Sequence, residues 1–382
     1  MKLLIGLNLI ILVSSVFEEG EVCRRVDDDL QVCSKSDTLT GCVDENSPPR
    51  GELTLELADE SKTTIGRHAL SNLSISSLWI EGPWRRKDVK PSLSLLPESF
   101  AGLTSLKRLS LRRVLINFND GSALAPLGLL EKLEVERSNL TEVPRDVLAF
   151  VPNLRSLSLS NNQIRDVRPN SFAALKHLEV LDLTENGITG IRPGAFETAD
   201  LAAGLPRLRE LRMPFNRIES IPKGVFEKLK RLRTLDISGN KIGVITPGAF
   251  GRLILDELTL ASNDIGVIET ETFNGLSALR LVLNANRIVE LKPGAFRGFV
   301  TEVLDLSFNR LRRIGVDDFA GFSTDCLKLS FNDIGIVDRG ALNNTVGKRL
   351  EIYGNKGIAD SLRKADLGLS ESVELLSKVA LE

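Results

Sequence analysis

The sequence is poor in the residues that usually build catalytic and metal sites. It has only two histidines, His68 and His177, and it shows no zinc-ligand spacing, no phosphate-binding glycine loop and no nucleophile elbow. Its formal net charge of -2 points neither to nucleic acid nor to an anionic membrane as a partner. We therefore expect no enzyme activity, no cofactor, no metal and no nucleic-acid partner.

Apolar runs of membrane-spanning length are also lacking. Lys2 is followed by an apolar run over residues 3–13 and by the small residues Ser14 and Ser15, a pattern that predicts a signal peptide over residues 1–16. A run of that length is too short for a ~30 Å hydrocarbon core, so a membrane anchor is the weaker interpretation. We expect a secreted, extracellular protein with no membrane span.

Three N-glycosylation sequons agree with secretion. They begin at Asn72, Asn139 and Asn343, and each has a serine or threonine two residues later. Such triplets also arise by chance, but behind a signal peptide they predict a glycoprotein.

What the chain does have is a repeat. The pattern L-x-x-L-x-L-x-x-N-x-I starts at Leu154 and recurs to the end of the array, with consecutive asparagines 24, 30, 24 and then 23 residues apart by subtraction. An insertion at about residues 198–204 accounts for the longest step, and upstream copies keep the leucines but lose the asparagine. The predicted asparagine ladder comprises Asn162, Asn186, Asn216, Asn240, Asn263, Asn286, Asn309, Asn332 and Asn355.

This spacing has a direct physical interpretation. L-x-L predicts a short strand with both leucines inward, and the asparagine amide can bond backbone groups that would otherwise be buried unpaired at about 1–3 kcal/mol each. A phenylalanine ten residues after most asparagines, from Phe172 to Phe319, predicts an aromatic spine. No single repeat can bury its own leucines, so only stacking closes the core.

The pattern resembles the extracellular, typical class of leucine-rich repeats, as in Toll-like receptor ectodomains, Slit-type guidance proteins and secreted arthropod repeat proteins. The resemblance covers about residues 50 to 356. It implies an α/β solenoid shaped as a horseshoe, with a parallel sheet on the concave face and an irregular or short-helical convex side. It also implies ligand binding on the concave face or its rim, without identifying the ligand.

We expect four segments: the signal peptide at 1–16, a cysteine-containing cap at 17–50, a solenoid of about ten regular repeats with degenerate ends at 51–356, and a helical cap at 357–382. The N-terminal cap carries Cys23, Cys33 and Cys42, where the family commonly has four cysteines, so one disulfide and one leftover thiol are expected. The pairing stays open. The C-terminal cap rests on helix-spaced apolar residues, with a partner-binding helix as the alternative.

Cys326 lies outside both caps. It precedes Leu327 and should face outward on the sheet, too many strands from the N-terminal cap for an internal disulfide. A free, partly shielded thiol is one interpretation, and an intermolecular disulfide to a partner or to a second copy of the chain is the other.

Outward sheet positions are the best place to look for function. Near the N-terminus we expect a binding patch of aromatic and basic residues, the types favoured at interfaces: Trp79, Trp84, Arg85, Arg86, Arg108, Arg112 and Arg113. A solvated surface is the competing interpretation.

The sequence thus predicts a module that binds extracellular proteins, in innate immunity, adhesion or signalling. A sulfated glycan is a further class of ligand. The alternatives are a matrix or assembly component, covalent or non-covalent, and an accessory subunit of another secreted protein.

Overall fold

The structure is a computed structural model that describes residues 9–13, 21–25, 30–35, 38–44, 51–57, 62–71, 73–83, 90–119, 121–197, 204–355 and 363–377. These residues form two compact units. The N-terminal unit contains the described residues up to 164 and also 171–183, and the C-terminal unit contains 165–170, 184–197 and the described residues from 204 onward. Each unit is built mainly of short strands that pair in parallel from one turn to the next.

Twelve described strands precede residue 165, and a 3₁₀ turn at Ser122–Leu124 and helix α1 (Arg145–Leu148) lie among the last of them. They are β1 (Leu9–Val13), β2 (Glu21–Arg25), β3 (Leu30–Lys35), β4 (Thr38–Asp44), β5 (Glu52–Leu57), β6 (Lys62–Ile65), β7 (Ser77–Glu81), β8 (Ser92–Leu95), β9 (Arg108–Arg112), β10 (Leu115–Asn117), β11 (Lys132–Glu136) and β12 (Ser156–Ser158).

The remaining described strands, which have two to six residues each, follow residue 165, and helix α2 (Lys364–Leu367) comes before the last one. They are β13 (Asp166–Val167), β14 (Val180–Asp182), β15 (Gly190–Ile191), β16 (Glu210–Arg212), β17 (Ser220–Ile221), β18 (Thr234–Asp236), β19 (Val244–Ile245), β20 (Ile254–Thr259), β21 (Val267–Ile268), β22 (Ser277–Val282), β23 (Glu290–Leu291), β24 (Val303–Asp305), β25 (Arg313–Ile314), β26 (Thr324–Lys328), β27 (Ile336–Val337), β28 (Val346–Glu351) and β29 (Glu374–Leu376).

In the N-terminal unit, one parallel sheet takes a strand from each turn in the order β1, β5, β7, β9, β11, β12, β14. The register aligns equivalent leucines, so that Leu109 lies opposite Leu133 and Leu133 opposite Leu157. Strand β1, inside the predicted signal peptide, pairs in parallel with β5.

A second sheet in the same unit was not expected from the repeat. Strands β2, β3 and β4 are antiparallel neighbours, and β4 continues in parallel to β6, β8 and β10. The first turns of the chain therefore carry strands on two sides, whereas the sequence predicted an irregular or short-helical second side. Alternating leucines in β8, where Leu93 and Leu95 are fully buried, explain why this side is extended.

In the C-terminal unit, strands β16, β18, β20, β22, β24, β26, β28 and β29 form one parallel sheet in that order. Two-stranded pairs β17–β19, β21–β23 and β25–β27 lie elsewhere in the same turns. The predicted fold class, a leucine-rich solenoid with a parallel sheet, is confirmed.

The C-terminal segment differs from the predicted helical cap. Among its described residues, 363–377, α2 has only four residues, and Gly368 ends it with a left-handed φ of 80°. The chain then forms β29, which adds a strand beside β28. Helical spacing of apolar residues was misleading because β28 offers an unpaired edge, which a strand satisfies and a helix does not.

The predicted phenylalanine spine is present in the C-terminal unit. Rings of consecutive turns stack with centroid distances of 5.7–6.3 Å from Phe196 to Phe319. A second column begins where Phe299 stacks on Phe322 at 6.0 Å. Together with the aligned leucines, these columns fill the core and hold the outward side chains on a fixed backbone.

Candidate binding surfaces

The ladder asparagines have a structural part in the solenoid. In a typical turn, Nδ2 of Asn240 donates to Ile237 O (3.0 Å) in its own turn and to Met213 O (3.0 Å) in the preceding one. Its Oδ1 accepts the backbone N–H of Ile218 at 3.0 Å. The same three contacts are made by Asn263, Asn286, Asn309, Asn332 and Asn355. Most of these contacts are also made by Asn162 and Asn216. Asn186 donates to Thr184 O at 3.2 Å.

The residue before each ladder asparagine is left-handed, which the sequence did not reveal. Phe215, Phe308 and Phe331 all have φ of 55° there, although this region favours glycine. Glycine does occupy the position in two turns, and an added Cβ at Gly239 or Gly354 would lie 2.6 Å from a phenylalanine ring of the preceding turn. The exposed phenylalanines therefore pack along the edge of their neighbours, and Phe308 stacks on Phe331 at 4.5 Å.

The predicted N-terminal patch is partly assembled. On the open face of the sheet, meaning the face away from the buried leucines, Trp79 on β7 lies opposite Ser110 on β9. Arg108 and Arg112 lie on β9 two residues to either side of Ser110, so these three predicted residues share two neighbouring strands. Trp79 is half-buried and Arg108 is exposed.

Arg112 is neutralised by neighbouring carboxylates. Its Nη2 lies 2.6 Å from Glu134 Oε2 and its Nε lies 3.2 Å from Glu136 Oε2, and Lys132 Nζ lies 2.5 Å from the other oxygen of Glu134. Burial acts to raise the pKa of Glu134, but the hydrogen bond from Lys132 and the charges of Arg112 and Lys132 outweigh it and bring the pKa below its ordinary value. The patch is thus a charge-balanced network and not a purely basic surface.

Arg113 has a structural position. It is 9% exposed, its Nη2 lies 2.6 Å from Glu81 Oε2, and its Nε donates to Gly82 O at 2.9 Å. A side chain committed to this pair is poorly placed to meet a ligand. Trp84, Arg85 and Arg86 lie outside the described residues.

Among the four cysteines, only the side chain of Cys326 is described. It forms no disulfide with another described residue, and it lies half-buried on β26, opposite Val303 and Arg349. Burial, together with the nearby charge of Glu351, raises its pKa. The backbone register places Cys23 opposite Cys33 in antiparallel strands, while the side chains of Cys23, Cys33 and Cys42 lie outside the described residues.

The sequon asparagines differ in accessibility. Asn343 is exposed, whereas Asn139 is half-buried and its Oδ1 accepts the backbone N–H of Ile116 at 3.1 Å. Asn72 lies outside the described residues.

In the described ranges of the chain, one histidine meets a carboxylate at the surface. His68 and Glu98 form an exposed pair, with Nε2 and Oε2 3.4 Å apart. Across those ranges, no group of three or more histidine, cysteine, aspartate or glutamate side chains could hold a metal ion. Nor does any helix in them have the length and apolar character needed to cross a bilayer.

The repeat and the parallel sheet are those of a leucine-rich-repeat solenoid. The family model described as "Leucine rich repeat" matches residues 152–200 and 206–265. No curated protein matches the sequence significantly.

Solved structures share the fold at low sequence identity. A leucine-rich-repeat protein of Leptospira interrogans is 20% identical, with a TM-score of 0.56 over 85% of this chain and 89% of its own. The Drosophila Toll–Spatzle complex matches at 15% identity and a TM-score of 0.56 over 95% of this chain, which spans 60% of the matched one. A complex of Latrophilin 3, Unc5D and the leucine-rich-repeat protein FLRT2 matches at 20% identity and a TM-score of 0.50, over 78% of this chain and 79% of that one.

Proposed function

We propose that this protein is a secreted, non-catalytic recognition module that binds an extracellular protein through the open face of its N-terminal unit. The observation that carries the proposal is the placement of Trp79 between Arg108 and Arg112 on two adjoining strands. Tryptophan and arginine dominate the energetics of many interfaces, and a rigid backbone lowers the entropy lost on binding. A charge-balanced network also suits a protein partner, because it offers donors and acceptors together.

The similar structures are consistent with this proposal. Two of them are complexes named for protein partners, Spatzle with Toll, and Latrophilin 3 and Unc5D with FLRT2. The Toll complex is described as a hub in development and innate immunity. We extend roles of that kind, immune recognition or adhesion, to this chain as part of the proposal.

The network weakens the case for a sulfated glycan. Glu134 and Glu136 meet the charge of Arg112, and Glu81 meets that of Arg113, so an anionic ligand would have to displace carboxylates. Assembly through Cys326 is the second candidate function, because this cysteine has no disulfide partner among the described residues and lies on the sheet of the C-terminal unit. Non-reducing electrophoresis of the protein distinguishes covalent assembly from recognition by a monomer: a disulfide-linked oligomer supports assembly, and a monomer alone counts against it.

The test is capture of extracellular partners by the tagged full chain from conditioned medium of the producing tissue. We expect a defined partner to be retained by the wild-type protein and by Arg145→Glu, a matched charge reversal in α1, where the side chain is 64% exposed. Retention should be lost with Trp79→Ala and with Arg108→Glu. If both variants retain the same partner as the wild-type protein, the proposed face is wrong; retention on heparin that depends on Arg108 would favour the glycan instead.

A further inference from the structure

Most turns of the C-terminal unit have 23 residues between ladder asparagines in place of 24, and they differ from the longer turns at one place. Leu235 follows the spine residue Phe226 by nine residues, whereas Leu258 follows Phe250 by eight, and the same eight-residue step recurs in the later turns. The missing residue lies between the spine and the sheet. In most of these turns the chain becomes extended earlier: β20, β22 and β28 have six residues and β26 has five, where β16 and β18 have three. The exception is β24, which keeps three residues.

An open cleft of about 730 Å³ lies beside this shortened connection. The first residues of β22, β26 and β28 and the residues just before β24 line it, and Leu369, just after α2, also contributes to the lining. Leu279 and Val300 are 48% and 66% exposed there, so apolar side chains face water along its wall. A volume of this size lies in the range of pockets that hold small ligands or a few side chains, about 300–1,000 Å³.

The cleft has one sign of charge. Within the described ranges, Glu302 and Asp325 are its only charged lining residues, and both are acidic. Asp325 is paired with Lys348, whose Nζ lies 2.7 Å from its Oδ2. Lys348, whose pKa is raised first by its hydrogen bond to Asp325, also feels the charge of Glu302. Among the described residues, however, no ion-pair partner lies within salt-bridge distance of Glu302, so its carboxylate is open to the cation of a ligand.

The backbone of Glu302 is firmly held. Its N–H donates to Leu279 O at 3.0 Å, and its carbonyl accepts the N–H of Cys326 at 2.8 Å and the hydroxyl of Thr324 at 2.9 Å. The hydrogen bonds fix the backbone from which the Glu302 side chain extends, next to the exposed apolar surface, so less entropy is lost there on binding.

From this geometry we infer that the acidic cleft binds a peptide segment of a partner in which a basic side chain stands next to an apolar one. Leu279 and Val300 receive the apolar side chain, and Glu302 receives the ammonium or guanidinium group. Charge complementarity selects this occupant over an acidic or purely apolar one. The site is separate from the N-terminal open face, so it stands whether or not that face binds a protein.

The test uses the full chain and two short labelled peptides with blocked ends, one alternating leucine with arginine and the other leucine with glutamate. By fluorescence anisotropy, we expect saturable binding of the arginine peptide only. Glu302→Gln should weaken it about tenfold, as expected for a lost charged hydrogen bond, and Leu279→Ser should weaken it as well. Glu219→Gln, the same change at an exposed position of another turn, should leave the affinity unchanged.

Three results would overturn the inference: no saturable binding of the arginine peptide, equal binding of the glutamate peptide, or equal weakening by Glu302→Gln and Glu219→Gln. The last would show general electrostatic attraction. Unchanged thermal melting of Glu302→Gln would show that the variant is folded, which we expect because Glu302 bonds its neighbours through backbone atoms, which the substitution leaves in place.

Discussion

Asn263 shows how much one buried amide contributes at the scale of a residue. Its Nδ2 donates to Ile237 O, Leu260 O and Ala261 O at 3.0–3.2 Å, and its Oδ1 accepts the N–H of Ile242 at 3.0 Å. The side chain thereby joins two turns and satisfies backbone groups that water cannot reach. Its position could be predicted from sequence because a polar residue that recurs at a fixed step among leucines meets a structural demand that every turn shares.

We predict that Asn263→Ala lowers the free energy of unfolding by about 3 kcal/mol or more, since it leaves several buried backbone groups unpaired at about 1–3 kcal/mol each. Urea denaturation followed by circular dichroism measures the change. Asn274→Ala, at an exposed position of the same unit, is the control and should change stability little. Equal effects of the two variants would contradict the structural role of the ladder.

The roles of some other residues could not be predicted from the sequence. Arg113 was predicted as part of a binding patch, but its partner Glu81 lies 32 positions earlier in a turn whose repeat is degenerate. Only the register of β7 and β9 shows that the two meet. The neutralisation of Arg112 by Glu134 has the same origin, because it depends on strands in adjacent turns.

At the scale of elements, the phenylalanine spine and the parallel sheet could be predicted where the repeat is regular. The structure at the two ends of the repeat array could not. Phe172 to Phe319 follow the ladder asparagines at a fixed interval, so their stacking could be expected. The second sheet through β6, β8 and β10 belongs to turns with little repeat signal, and the β29 strand depends on the exposed edge of β28. Asparagine spacing of 23 in place of 24 was visible in the sequence, but only the structure shows that it opens a cleft.

We predict that Phe273→Ala destabilises the C-terminal unit by about 3–5 kcal/mol, the usual range for a buried phenylalanine. Its ring lies between Phe250 and Phe296 at 6.0 and 5.7 Å, and the cavity would interrupt the stack. Phe308→Ala is the matched control because the side chain is 54% exposed and its loss leaves no buried cavity. Thermal melting of both variants decides the point; a larger loss for Phe308→Ala would mean that the edge stack, and not the spine, carries stability.

At the scale of the whole molecule, secretion and glycosylation make one connected prediction. We expect the full chain, expressed in insect or mammalian cells, to appear in the medium and to lose mass on treatment with peptide N-glycosidase. Asn343 should carry more glycan than Asn139, because Asn343 is exposed while the half-buried Asn139 already binds Ile116 N–H through its amide oxygen. Asn343→Gln should therefore remove more of the mass shift than Asn139→Gln. Retention of the chain inside the cell, or a mass that the enzyme does not change, would contradict the extracellular role.

A glycan at Asn343 would also stand next to Asn344, which lines the acidic cleft. Peptide binding before and after removal of the glycan would therefore show whether the modification limits access to that cleft.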